Sequence, residues 1–257
     1  MNKIEMFNYE RQKNTKALEE DVELQQSGLK LLHESAEHNY SFNFDWLSRP
    51  IIQYPQDIVA FQEIVWGVKP DLIIEMGIAH GGSLILSASL LALLDLCENG
   101  NATLAPDNQK PRRVIAVDID IRAHNRNTLQ EHPFYPRLKL IEGSSIDQTI
   151  INEIKKEAEG YKNILVCLDS NHTHGHVLAE MEAYAPLVTK GSYCIVYDTV
   201  IEDMPEDMFQ DRPWGPGDSP KTAVWEFLKS HQEFEIDHSI PSKLLISVAP
   251  DGYLRRV

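Results

Sequence analysis

The stretch DLIIEMGIAHGGSLILSASLLALL, residues 71–94, decides the fold. A short apolar run, Leu72-Ile73-Ile74, is followed by an acid, Glu75, and a glycine, Gly77. A turn of small residues comes next, Ala79-His80-Gly81-Gly82-Ser83, and then a long apolar segment of helix formers. The order reads as buried strand, glycine turn and helix. In α/β proteins such a turn stands at the carboxyl end of a strand, where open parallel sheets bind ligands. The rest of the chain repeats the unit. Strands are expected at 113–120, 138–142, 163–169 and 192–198, with helices at 122–131, 148–158 and 175–187, and a polar loop at 99–111. Alternation of this kind implies a doubly wound, Rossmann-like, mostly parallel sheet with right-handed crossovers.

Both ends of the chain depart from that alternation. Residues 1–40 and 57–67 have helical spacing of apolar residues, with an extended, aromatic-rich piece between them at 40–54. They precede the first strand, so residues 1–67 are expected to form an N-terminal helical cover and residues 68–257 the ligand-binding domain. After the fifth strand runs a long acidic loop, 199–219, of a length that is usually functional or mobile. Ser219-Pro220 is a cap followed by proline at the first helical position, which opens a helix reaching about His231. Strands at 233–237 and 243–249, joined by a turn around Pro241, are expected to close the sheet as an antiparallel hairpin.

Composition narrows the function. The chain has 257 residues and a formal net charge of −15. That balance opposes a nucleic-acid backbone as the main partner and fits a small molecule or a neutral sugar. No apolar run reaches the ~18 residues of a membrane span, and residues 1–10 have no apolar signal core. The three cysteines, Cys97, Cys167 and Cys194, contain no Cys-x-x-Cys pair and read as reduced thiols, which places the protein in the cytoplasm.

The glycine turn misses the dinucleotide pattern Gly-x-Gly-x-x-Gly, because Gly77 is followed by Gly81 and Gly82. The next strand-end acid, Asp118, is 41 residues beyond Gly77 rather than about 20. Glu75 would place like charge against a pyrophosphate. An acid in this position suits a cationic ligand, and S-adenosylmethionine carries an ammonium and a sulfonium. Its methionine end is expected over Gly77 and Gly81, flanked by Ala79, Gly82 and Ser83, with Asp118 accepting from the ribose hydroxyls. Ser144 and Ser145, after the third strand, and Asp169, after the fourth, complete the expected cofactor-binding set.

Asp169 and Asp198 end neighbouring strands about 4.8 Å apart, so their carboxylates are placed to converge on one hard cation such as magnesium. His172, three residues beyond Asp169, suits a general base near the acceptor oxygen. In the acidic loop, Trp214 is placed to stack on a sugar face and Arg212 to hold an anionic group.

Four segments carry a resemblance: EMGIAHGGS (75–83), LDSNHTH (168–174) with HVLAEMEAY (176–184), GSYCIVYDT (191–199) and DRPWGPGDSP (211–220). The chain resembles the class I S-adenosylmethionine-dependent methyltransferases, and within them the cephalosporin hydroxylase-like family that includes sugar and rhamnosyl O-methyltransferases. The resemblance spans roughly residues 70–230. It implies O-methylation of a sugar or natural-product hydroxyl, assisted by magnesium, by a homo-oligomer. It also implies a third metal ligand directly after the second acid. Here that position is Thr199, a weak ligand, with Glu202 as a substitute if the loop folds back. Two other readings share the same residues: a cofactor-binding accessory subunit of a modifying enzyme, and a nicotinamide-dependent oxidoreductase.

Overall fold

The computed structural model describes residues 2–100 and 110–257, so most of the loop expected at 99–111 lies outside the described residues. Helices α1 (Lys3–Glu20) and α2 (Val22–Ala36) come first. A two-stranded hairpin follows, β1 (Phe44–Trp46) and β2 (Arg49–Ile51), and then α3 (Pro55–Val68). The alternating part comprises β3 (Leu72–Met76), α4 (Gly82–Asn99), β4 (Arg113–Asp118), α5 (Ala123–Gln130), β5 (Leu138–Glu142) and α6 (Gln148–Ala158). It continues with β6 (Ile164–Leu168), α7 (His174–Tyr184), β7 (Tyr193–Val196) and α8 (Pro220–Phe227). The chain ends with β8 (Phe234–Ile236), α9 (Ser239–Leu244) and β9 (Tyr253–Arg256).

Among the described residues the main sheet has seven strands in the order β5-β4-β3-β6-β7-β9-β8. Strands β5 through β7 are parallel, whereas β9 runs antiparallel to both β7 and β8. The chain leaves β3 for β4 and β5 on one side, then returns to β6 and β7 on the other. The topological switch therefore falls between β3 and β6, which is where a ligand crevice opens in sheets of this kind.

Strands β3 and β6 are buried at every position, as continuous apolar runs in a sheet covered on both faces should be. Their side chains alternate between two cores. Ile73 and Cys167 face the layer with α3 and α4, whereas Ile74, Met76, Val166 and Leu168 face the layer with α6, α7 and α8. By the same alternation Glu75 faces α4.

The closing hairpin differs from expectation. The segment expected as a strand at 243–249 begins inside α9, and Pro241 lies in the first turn of that helix, where a missing N–H is tolerated. The backbone beyond it is tied down by Asp57 of α3. The Asp57 carboxylate accepts from Ser247 Oγ (2.6 Å), Val248 N (3.0 Å) and Tyr253 Oη (2.8 Å). The strand position goes instead to residues 253–256, with Tyr253 and Leu254 fully buried. The pairing remains antiparallel, although a helix rather than a tight turn makes the connection.

Candidate active site

Strand ends and turns around the β3/β6 switch build the site. The turn after β3 is held from both sides. Asp118, at the end of β4, accepts from Ile78 N at 2.8 Å and Ala79 N at 3.4 Å through Oδ2, and from Asp120 N at 3.1 Å through Oδ1. An ionised carboxylate has roughly four acceptor sites, so Asp118 keeps capacity for a ligand hydroxyl while fixing the turn. Asn125 Nδ2 donates to Ala79 O at 2.8 Å, and Ala79 itself has φ 44°, a left-handed conformation uncommon outside glycine.

The turn glycines are required by close chain packing. A Cβ on Gly77 would lie 2.1 Å from the Asp169 carbonyl oxygen, so β3 and β6 approach closely where the crevice opens. One on Gly82 would lie 2.3 Å from the Pro50 carbonyl oxygen, and one on Gly81 would strike Leu129. The β1–β2 hairpin therefore rests directly on the turn. Arg49 reinforces it by donating to His80 O through Nε at 3.0 Å and to Asn125 Oδ1 at 3.2 Å.

Glu75 lies beneath this turn and is 4 % exposed. The hydroxyls of Ser83 and Ser87 donate to it, the latter at 3.3 Å. Burial outweighs these bonds and raises its pKa to about 7. Asp169 begins the loop after β6. Desolvation, then the charges of Asp198, Glu75 and Glu180, push its pKa well above the usual carboxylate range.

Among the described residues Asp169, His172 and Asp198 form a group whose ligand atoms all lie within 4.8 Å of one another. His172 Nε2 is 3.3 Å from Asp198 Oδ2, and Asp198 sits in a left-handed conformation at φ 55°. Backbone strain of that kind gathers at functional sites. The Trp214 ring stands edge-on to the His172 ring, with centroids 4.8 Å apart, and Arg212 lies 5.5 Å from the Trp214 ring.

The acidic loop is pinned by its own polar groups. Glu202 Oε2 accepts from Ser219 Oγ (2.7 Å) and Gly217 N (2.9 Å), and Asp218 Oδ1 accepts from His174 N (2.6 Å). These bonds occupy Glu202, which is not part of the acid–histidine cluster. Thr199, the residue expected as a third ligand, follows Asp198 directly. It is fully buried, and its hydroxyl donates to the Pro250 carbonyl. The third side chain of the cluster is His172.

Ser145 is buried, with its Oγ 3.0 Å from His176 Nε2, and Tyr184 donates to its carbonyl. His176 Nε2 also lies 3.3 Å from Glu180 Oε1, which accepts from Ser170 Oγ at 2.6 Å. Ser144 is partly buried, and its carbonyl accepts from Asp147 N at 3.0 Å. This network around fully buried Glu180 was not read from the sequence. The i, i+4 spacing of His176 and Glu180 was the available signal.

A central β3 with a glycine turn, a strand-end acid on β4 and an antiparallel β7-β9-β8 edge define a methyltransferase-type Rossmann-like sheet. The comparisons agree. The family model described as Rhamnosyl O-methyltransferase/CmcI matches residues 38–257, and the chain belongs to that family. It is 29 % identical over 202 residues to the rhamnosyl O-methyltransferase of Mycobacterium bovis (strain BCG / Pasteur 1173P2), covering 78 % of this chain and 73 % of the relative. A rhamnosyl O-methyltransferase of Mycobacterium leprae (strain TN) is 26 % identical over 212 residues, covering 82 % of each. A solved structure of CmcI with Mg and SAM superposes with a TM-score of 0.53 at 19 % identity, covering 84 % of this chain and 77 % of that one, a likeness of fold.

Proposed function

We propose that the protein transfers a methyl group from S-adenosylmethionine to a hydroxyl of a sugar acceptor. The observation that carries the reading is the cluster of Asp169, His172 and Asp198 at the carboxyl edge of β6 and β7, beside the glycine turn. The residues fit both groups the reading needs. Glu75 and Asp169, both with raised pKa values, border the turn with no cationic side chain hydrogen-bonded to either among the described residues, which suits the ammonium and sulfonium of the cofactor. The two carboxylates suit a hard divalent cation such as magnesium, and the imidazole beside them stays available for a proton. When bound, the cofactor supplies an electrophilic methyl group and the cation lowers the pKa of a coordinated hydroxyl.

The chain's own side chains do the rest. Asp169 and Asp198 would hold the cation. His172, oriented by Asp198 on one side and by Trp214 on the other, takes the acceptor's proton. Trp214, edge-on to His172, and Arg212 beside it would position the acceptor, since displacement at a methyl group depends mainly on alignment and exclusion of water. Asp118 and the residues around Ser144 and Ser145 would hold the nucleoside half.

The test uses a panel of rhamnosides and nucleotide-activated sugars with labelled S-adenosylmethionine. Wild type should methylate at least one acceptor. His172→Ala should keep S-adenosylhomocysteine affinity while turnover falls about 10²–10⁴-fold, the usual contribution of a general base. Equal turnover in wild type and His172→Ala would remove the histidine from the chemistry. Failure of wild type to bind S-adenosylhomocysteine would end the reading altogether.

A further inference from the structure

Gln53 follows β2, in the segment that precedes the α/β alternation. It is 5 % exposed, and its side-chain Oε1 has no hydrogen-bond partner among the described residues. A buried amide oxygen left unpaired is destabilising unless a ligand supplies the missing donor. The residue lies at the junction of two adjoining clefts. One is bordered by the glycine turn, Ser83 and Asp169, and the other by Glu75, Ser87 and Tyr197.

Its placement is fixed from both directions. On the preceding side the hairpin is locked to the turn by Arg49 and by the contact of Gly82 with Pro50. On the following side Tyr54 Oη is 3.0 Å from Ser35 Oγ, and Asp57 anchors the start of α3. A polar side chain held rigidly, buried and unpaired at the wall of a cleft is a preorganised ligand contact.

We infer that the Gln53 side-chain carbonyl binds the α-ammonium of the cofactor's methionine end, together with Glu75. This rests on the S-adenosylmethionine reading above. The two acids select the ammonium rather than the carboxylate, because Glu75 and Asp169 both line the second cleft and disfavour a further anion there. The same charge explains why a neutral amide serves here. Another carboxylate would add a third acid to the same cleft. The hairpin thereby becomes part of the cofactor site rather than a cover over it.

The test titrates wild type and Gln53→Met calorimetrically with three ligands. S-adenosylhomocysteine carries the whole amino-acid end, its decarboxylated amine keeps only the ammonium, and 5′-methylthioadenosine lacks both. The inference expects Gln53→Met to bind the first two about 10-fold more weakly and the third within about 2-fold of wild type, the loss expected for one hydrogen bond to a charged group. Weakening of S-adenosylhomocysteine alone would assign the contact to the carboxylate and overturn it. Equal weakening of all three would show a purely structural role and overturn it. So would unchanged binding of all three. If wild type bound none of them, the proposed function would fall and this inference with it, an outcome distinct from the loss of Gln53 alone.

Discussion

Glu75 is a buried acid whose ionisation should act on stability and on ligand binding in opposite senses. Its folded pKa of about 7 lies above the ordinary 4.5 of an unfolded glutamate. The folded state therefore holds a proton that the unfolded state has released, and the associated stability is present below about pH 4.5 and lost as pH rises through 7. A shift of this size corresponds to roughly 3 kcal/mol at most. An ammonium ligand prefers the ionised form, so S-adenosylhomocysteine affinity should rise between pH 6 and pH 8 while stability falls. Glu75→Gln should flatten both curves, read by calorimetry and by urea denaturation across that range. Affinity of the wild type that stayed constant with pH would separate Glu75 from the ligand. Thr199 supports a second expectation at the same scale. Because its hydroxyl serves Pro250, Thr199→Val should leave magnesium affinity unchanged and cost about 1 kcal/mol of stability, whereas Asp198→Asn should weaken magnesium binding by at least about 10-fold. A matching loss of magnesium in Thr199→Val would return that residue to the cation.

The β1–β2 hairpin is the element on which the site most depends, and its seat is Gly82. A methyl group there would meet the Pro50 carbonyl oxygen at 2.3 Å and Ile51 at 2.7 Å, both backbone or core atoms with little room to move. Gly82→Ala should lift the hairpin, cost about 1–3 kcal/mol as overpacking does, and weaken S-adenosylhomocysteine. Trp46, whose Nε1 donates to Ser89 Oγ at 3.0 Å across the same contact, provides the readout, and its fluorescence should shift toward that of a solvated indole. An unchanged spectrum would mean that the hairpin tolerates the methyl group in place. The hairpin also marks where sequence reading stopped. Strands β3 and β6 could be read because burial on both faces leaves an uninterrupted apolar run, and Asp169, His172 and Asp198 could be read because polar residues directly after such runs stand at the crevice. The partners of the hairpin could not. Gln53 has no motif, and its significance lies in the hydrogen bond it does not make. The run at 243–249 has strand composition, yet Asp57, some 190 residues earlier, holds its backbone by contacts that no local pattern encodes.

At the scale of the whole molecule the sheet is closed by contacts between the two ends of the chain. Asp57 in α3 collects Ser247, Val248 and Tyr253, so a single carboxylate joins the segment before the first parallel strand to the last strand of the sheet. Its burial raises the pKa to about 6 despite three donors, and desolvation is the largest cause. The sign follows as for Glu75. A folded pKa above the ordinary 3.8 gives stability that is present below about pH 4 and lost as pH rises through 6. Removing the carboxylate and losing its charge should therefore have different consequences. Asp57→Ala leaves Val248 N–H and two hydroxyls without their acceptor, and should cost about 3 kcal/mol at pH 7 in urea denaturation. Asp57→Asn keeps one acceptor for Val248 N–H, and the hydroxyls of Ser247 and Tyr253 can rotate to accept from its amide. It should lie within about 1 kcal/mol of wild type at pH 7 and lose the decline between pH 4 and pH 6. If Asp57→Ala proved as stable as Asp57→Asn, closure would rest on apolar packing of Tyr253 and Leu254 alone, and the N-terminal segment would be separable from the sheet. If the two differ as expected, the segment that carries Gln53 between β2 and α3 is held in place by the far end of the chain, and cofactor affinity should fall in Asp57→Ala in step with its stability.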